Sequence, residues 1–357
     1  MLAGGSALAS GPNPGSWSFA PAPGTTIARE PVAAGTDQQT GVAMVDTTLG
    51  YQGVQAAGTG LVLTADGVVL TNTHVIAGAT EVRVTVGRPG VTYTATVVGS
   101  DAHRDVAVLQ IDDPDGLVPV RVDQDENLAP GDSVTVVGNA RGADSLVAAA
   151  GMVTALDRTI TTRAQGSAVG RELEGLIEVD AEVVAGDSGG AVLDADGELV
   201  GMTTAASVGD EDLRGYAIPV GDVLDIAAQV LSGDESGTVT IGYPAFLGVQ
   251  LVLGATEGPT GALAGGTQVG APWATTFGSV RGAPVAGVLP GTPAARAGLV
   301  TGDVVTTFDG HDVRSADELS ARIDEHEPGD RVRVGWVSKA TGTARTATVT
   351  LVEGPAG

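Results

Sequence analysis

Residues 58–72 read GTGLVLTADGVVLTN: two short Val/Leu runs separated by an Ala-Asp-Gly turn. The same rhythm continues downstream in EVRVTV (81–86), YTATVVGS (93–100), DVAVLQI (105–111), DSVTVVGN (132–139), ELVGMTT (198–204) and YAIPV (216–220). Short β-branched runs with turn signals at regular spacing, and no alternating helical segments, predict a barrel or sandwich over about 39–218. Composition agrees. Gly supplies 54 of 357 residues, roughly twice the usual ~7%, as a chain with many turns requires. The length fits two domains, each able to bury its own core. Absence of cysteine excludes disulfide scaffolds, thiolate metal sites and a thiol nucleophile. A formal charge of −25 argues against nucleic acid or an anionic membrane surface as a partner. It also favours neutral or basic substrates over acidic ones.

Three stretches divide the chain. Residues 1–38, rich in Pro, Gly and Ala, read as a flexible leader whose aromatics are Trp17 and Phe19. Ala7-Leu8-Ala9 has the form of a signal cleavage site, so the leader reads either as a plain tail or as the stub of an export signal or anchor. No apolar run is long enough to span a bilayer. Residues 39–235 form the β unit and end in a helix over 220–231, with Val223, Ala227, Val230 and Leu231 on one face. Residues 236–357 form a second, α+β unit. It holds a low-complexity insert at 254–282, a helix over 315–326 capped by Ser315 or Asp317, and two closing strands.

The chemistry concentrates in Gly186-Asp187-Ser188-Gly189-Gly190. A serine hydroxyl needs a base to become nucleophilic, and flanking glycines allow a turn whose N–H groups converge beside it. The read alone admits a solvated turn serine too. With no Cys and one lysine, Lys339, in the second unit, the base is a histidine. His311 and His326 lie in the second unit and read as surface residues. His103 sits in a charged loop, and His74 follows an apolar strand. The orienting carboxylate is Asp105, at the start of VAVLQI; its rival Asp101 reads as a solvated loop residue.

In the order His74, Asp105, Ser188, the chain resembles the trypsin-like serine proteases, and most closely their HtrA/DegP branch. The matching strings are GTGLVL from Gly58, TNTHVIAGA from Thr71, DVAVLQI from Asp105, GMVTAL from Gly151, IEVDA from Ile177, GDSGGAVL from Gly186, GELVGM from Gly197 and YAIPV from Tyr216. They cover about 58–220. The resemblance implies an all-β double β-barrel, each barrel six-stranded, with His74 as general base, Asp105 as orienting carboxylate and Ser188 as nucleophile in the cleft. The oxyanion hole falls on the Gly186-Asp187-Ser188 turn, through the N–H groups of Gly186 and Ser188. Thr203, Thr204 and Ala205 are expected to pair with substrate backbone. Two residues depart from the branch. Asp187 stands where Asn is usual, and a buried acid there needs a partner. Glu182 stands where a small residue is usual; digestive trypsins carry their specificity aspartate at that offset, which would favour Lys or Arg at P1.

The second unit resembles a circularly permuted bacterial PDZ domain through FLGV from Phe246, GVLPGTPAARAGL from Gly287, GDVV from Gly302 and SADELSARI from Ser315. The resemblance implies carboxylate capture by the Phe246, Leu247, Gly248 and Val249 segment, and a side-chain pocket lined by Leu319 and Ile323. The function implied is a serine endopeptidase acting on unfolded or tagged polypeptides in extracytoplasmic protein quality control. Its partners are polypeptide substrates and peptide C-termini. It needs no metal or organic cofactor, and by analogy it is a homotrimer built through its N-terminal segment. The alternatives are a non-catalytic peptide-binding scaffold and a narrow processing protease.

Overall fold

The computed structural model describes residues 32–87, 90–125, 127–143, 145–162, 171–206, 214–251 and 280–356. The leader through residue 31, with Trp17 and Phe19, lies outside the described residues, as does the insert over 254–279. After a short β1 (Val32–Ala33), the chain runs through β2 (Val42–Leu49), β3 (Val54–Val62), β4 (Val68–Thr71), the one-turn helix α1 (Thr73–Ile76), β5 (Glu81–Val86), β6 (Val91–Asp101) and β7 (Val106–Ile111). These pair in the order β6-β5-β2-β3-β4-β7, and β7 returns to β6, closing a six-stranded barrel. A second barrel follows: β8 (Ser133–Gly138), β9 (Val147–Thr162), β10 (Arg171–Val179), β11 (Ala191–Leu193), β12 (Leu199–Ala206) and β13 (Gly215–Pro219). Its order is β9-β10-β13-β12-β11-β8, with β8 back on β9. Closure leaves neither barrel with a bare edge; β1 adds to the outside of β9.

Burial explains why β4 and β7 read as unbroken apolar runs. Val69, Ala107 and Leu109 point into the first barrel, while Leu70, Val106 and Val108 point out of it, into a core shared with Val137, Ala191, Met202 and Ile218 of the second. A strand covered on both faces shows no alternation. Gly60 permits the tight closure, since a Cβ there would meet Val45 and Val69 methyl carbons at 2.9 Å. Helix α2 (Val220–Leu231) packs onto this shared core through Val223, Ile226, Ala227 and Val230. The expected stripe is thus corrected at one position: Leu231 is 47% exposed, and Ile226, in phase with Val223 and Val230, takes the buried place.

The connection to the second unit is itself structured. β14 (Val239–Ile241) pairs antiparallel with β6, so the chain leaves the first barrel's sheet only after Ile241. The second unit then comprises β15 (Ala245–Phe246), β16 (Val249–Leu251), β17 (Ala283–Val288), α3 (Pro293–Ala297), β18 (Val304–Phe308), β19 (His311–Asp312), α4 (Ala316–Asp324), β20 (Arg331–Val337), β21 (Ala344–Thr350) and β22 (Val352–Glu353). Its sheet runs β16-β17-β18-β20-β21, and among the described residues one edge of β16 has no partner strand. Ser315, not Asp317, caps α4: its Oγ accepts the Glu318 N–H at 3.1 Å, and Glu318 reaches back to the Arg314 N–H at 2.8 Å. Phe308, Leu247, Leu319, Val305 and Trp336 fill the core. Two contacts tie this unit to the first barrel. The Tyr51 and Phe246 rings lie 5.5 Å apart, and Ala356 exchanges backbone hydrogen bonds with Gly78 and Ala79 at 2.6 and 2.9 Å. No helix among the described residues is long and apolar enough to cross a membrane.

Candidate active site

Helix α1 presents His74. Val75 and Ile76 face the barrel core, which leaves the imidazole, 45% exposed, on the outer side. Thr73 fixes the turn by donating its hydroxyl to the carbonyls of Val106 (2.9 Å) and Asp101 (3.2 Å). Asp105 sits across from it in a left-handed conformation, φ +58, which costs a non-glycine residue energy and which Asp tolerates better than most. The Asn72 side-chain amide holds its carbonyl at 2.9 Å. The buried Asp105 carboxylate then meets His74 twice: Oδ2 lies 2.8 Å from Nδ1, and Oδ1 accepts the His74 backbone N–H at 3.1 Å. Its remaining partner is Thr204 Oγ1, which donates to Oδ2 at 2.5 Å.

Asp101, expected to be solvated, is instead fully buried. Its oxygens accept the His103 and Arg104 N–H groups, the Arg104 Nε–H and the Thr238 hydroxyl at 2.6–3.0 Å. Burial pushes this carboxyl up, but Thr238 and Arg104 outweigh it and hold the group below the usual range. Asp101 therefore shapes the loop that delivers Asp105 and has no oxygen to spare for an imidazole.

Ser188 reaches the cleft on the turn before β11. Its backbone carbonyl accepts the Thr59 N–H of β3 at 2.8 Å, and its hydroxyl donates to the Thr204 carbonyl at 3.3 Å. Among the described residues no hydrogen bond joins it to His74. The N–H groups of Gly186 and Ser188 have no acceptor among the described residues. Asp187 differs: its N–H donates to the Val184 carbonyl at 3.0 Å. Asp187 therefore sits within the turn without offering its N–H to the cleft.

Thr203 also needs correction. Its N–H and carbonyl are consumed by Gly190 and Gly189, at 2.9 and 2.7 Å, so it supports the nucleophile's turn and offers nothing to substrate. The ladder shifts register between Thr203 and Ala205, leaving Thr204 in the irregularity. Sequence reasoning gave Thr204 to substrate pairing and missed its bond to the Asp105 carboxylate; no sequence signal distinguishes it from its neighbour. Ala205 pairs with Tyr216 of β13.

Behind the turn lie two acids. Asp187 is buried; Oδ2 accepts the Val184 N–H at 2.9 Å, while Oδ1 has no partner. Glu182, 14% exposed, lies 4.0 Å from the Arg141 guanidinium through Oε1, and its buried Oε2 has no partner. Burial pushes Asp187 up to about 6; the Val184 N–H opposes this, Glu182 adds to it, and Arg141 opposes it again. A folded-state pKa above the ordinary 3.8 means the native state holds its proton more tightly than the unfolded chain. Stability is therefore fully present below pH 4 and is lost as pH rises through 6, by about 3 kcal/mol at ~1.36 kcal/mol per pH unit. Asp187→Asn removes the titration. Urea unfolding at pH 4 and pH 7.5 should show the wild type losing about 2 kcal/mol more than the variant, since at pH 4 the unfolded carboxyl is already partly ionised; parallel pH profiles would overturn this.

In the second unit, Leu247 and Gly248 turn into the open-edged strand β16. Gly248 has φ +86, and its carbonyl accepts the Leu289 N–H at 3.0 Å. The Leu247 and Gly248 N–H groups have no acceptor among the described residues. Val249 is half-buried on β16 and pairs with Val288; Phe246 is occupied against Tyr51. Leu319, expected to line a pocket, is fully buried in the core, and Ile323 packs half-buried against that core. The four-residue spacing put both on one face, but the deeper one is closed over.

One acidic group, Asp123, Asp194 and Glu198, has carboxylates close enough to hold a cation. Asp194 there accepts the Asp196 and Glu198 N–H groups at 3.0 and 2.8 Å, the geometry of a hairpin turn.

Residues 58–202 match the trypsin-like peptidase domain family and residues 245–351 the PDZ domain family. The fold and the cleft thus belong to a trypsin-like peptidase domain joined to a PDZ domain. Within that class, the curated relatives that the chain matches are serine proteases of the DegQ and DegP kind. Relatives include the periplasmic pH-dependent serine endoprotease DegQ of Escherichia coli (34% identical; 80% of this chain, 57% of the relative). Serine protease PepD of Mycobacterium tuberculosis is 30% identical over 87% of this chain and 63% of its own length. The chain thus spans about six-tenths of the curated relatives it matches. Among solved structures, the HtrA-type protease AlgW with decapeptide aligns over 89% of this chain and 96% of its own, at 26% identity and a TM-score of 0.46.

Proposed function

We propose that the chain is a serine endopeptidase that cleaves polypeptides by acyl transfer, with a PDZ groove that binds peptide C-termini. The observation that carries this is the His74–Asp105 pair at 2.8 Å, set beside the Ser188 turn with the Gly186 and Ser188 N–H groups free. Ser188 Oγ attacks the scissile carbonyl while His74 Nε2 takes its proton. Asp105 stabilises the imidazolium, and the two N–H groups receive the developing oxyanion. His74 returns the proton to the leaving amine; water then repeats the sequence on the acyl-enzyme. At the second unit, the Leu247 and Gly248 N–H groups suit a terminal carboxylate, and the open edge of β16 suits the peptide's backbone. Relatives described as periplasmic support action outside the cytoplasm. Fluorophosphonate labelling with peptide mapping tests the assignment. Label on Ser188 together with casein turnover is the expected result; a folded, unlabelled protein that still binds peptides would instead be a scaffold.

We further propose that P1 is basic. The orphaned oxygens of Glu182 and Asp187 form a buried anionic pair behind the nucleophile, and Arg141 is a weak, mostly exposed answer to it. A substrate guanidinium or ammonium would complete the pair. Arg-P1 peptides should be cleaved at least tenfold faster than Leu-P1 peptides, and Glu182→Gln should erase that ratio. An unchanged ratio would remove the idea.

A further inference from the structure

The reading of Ser188 as nucleophile leaves open what holds its turn in a productive shape. We infer that Thr59, on β3 of the first barrel, is the positioning residue that sets the oxyanion hole, an inference that rests on the proposed acyl-transfer function. Thr59 is fully buried, and all its polar atoms are engaged. Its hydroxyl donates to the Gly186 carbonyl at 2.7 Å and accepts the Asn139 N–H at 2.9 Å. Its N–H donates to the Ser188 carbonyl at 2.8 Å, and its carbonyl accepts the Thr71 hydroxyl at 2.7 Å. Packing leaves no slack, for a Cβ on Gly189 would stand 2.0 Å from the Thr59 carbonyl oxygen.

These bonds matter because a trans peptide is rigid and its N–H points opposite its carbonyl. The Ala185 carbonyl is tied to the Arg141 N–H at 2.6 Å, which aims the Gly186 N–H the other way. The Asp187 carbonyl is tied to the Gly190 N–H at 2.8 Å, which does the same for the Ser188 N–H. Between them lies the Gly186–Asp187 peptide, and Gly186, at φ +100, has the backbone freedom to rotate it. Thr59 Oγ1 is the group that fastens this carbonyl. Without it, the Gly186 carbonyl and the Asn139 N–H lose their partner, and the peptide that joins the two donors is held only through the Asp187 N–H, 3.0 Å from the Val184 carbonyl. The clasp crosses from the first barrel, which carries His74, to the second, which carries Ser188, so it also sets the two halves of the site in register.

Two matched pairs test this. Thr59→Val removes the hydroxyl at constant shape; Thr59→Ser and Thr59→Ala compare hydroxyl with methyl at a smaller volume. The prediction is a kcat lower by about 10- to 100-fold in the Val variant, somewhat less than removal of an oxyanion donor itself, with KM nearly unchanged and the pH profile of kcat/KM unmoved. A peptide boronic acid should bind weaker by the same factor, since it mimics the transition state, while the Ser variant stays within a few-fold of wild type. Should Thr59→Val not fold, the Ser/Ala pair decides alone. The inference fails if Val, or Ala relative to Ser, keeps more than half of kcat, or if the loss appears in KM. If wild type neither labels nor turns over, the failure lies with the proposed activity.

Discussion

Ser188→Ala should lower kcat toward peptide substrates by about 10⁶-fold, while residual cleavage stays about 10³-fold above the uncatalysed rate. The reason is structural. On the proposed reading the variant removes the nucleophile but leaves in place the Gly186 and Ser188 N–H groups, which have no acceptor among the described residues. The lost hydroxyl makes one side-chain bond, to the Thr204 carbonyl at 3.3 Å, long and weak enough that folding stability should change by less than about 1 kcal/mol. KM should hold, because substrate contacts do not pass through Oγ. Steady-state kinetics on casein and defined peptides, with thermal melts of both proteins, make the comparison. A variant retaining a tenth of wild-type kcat would place the nucleophile elsewhere.

Asp105→Asn should lower kcat by about 10⁴-fold at neutral pH. An amide nitrogen in place of Oδ2 would donate to Nδ1 of His74, forcing the ring's proton onto Nε2, where it cannot receive one from Ser188. The geometry here sharpens the expectation. Oδ2 also accepts the Thr204 hydroxyl at 2.5 Å, and Oδ1 accepts the His74 N–H at 3.1 Å. Asn can satisfy the backbone N–H through its own oxygen, and Thr204 can turn, so the fold should persist. Fluorophosphonate labelling should slow in proportion to kcat. A loss of less than tenfold would mean that the ring's tautomer is set by something other than Asp105.

Much of this was legible in the chain. The apolar runs VVL (68–70) and VAVL (106–109) and the spacing of turns pointed to a barrel or sandwich, and the resemblance to trypsin-like proteases narrowed that to two closed barrels. What stayed hidden depended on which of two similar neighbours faces inward. Thr203 and Thr204 are identical in type, yet a register shift gives one to the nucleophile's turn and the other to Asp105. Asp101 and Asp105 lie four apart, and only the Thr238 and Arg104 bonds, one of them from a residue more than a hundred positions away, show which acid is consumed. Val230 and Leu231 are adjacent on α2, yet one is 1% and the other 47% exposed. Helical and strand periods define faces, but the depth to which a face sinks is a tertiary property.

The second unit meets the first barrel at both of its ends: β14 is laced into that barrel's sheet ahead of it, and Ala356 is pinned to Gly78 and Ala79 behind it. With the Tyr51–Phe246 ring contact between them, these attachments hold the second unit more firmly than a single tether would. The rear attachment lies just past the helix that presents His74, and the forward one packs Val239 into the core that the two barrels share, so strain on the second unit reaches the surroundings of both His74 and Ser188.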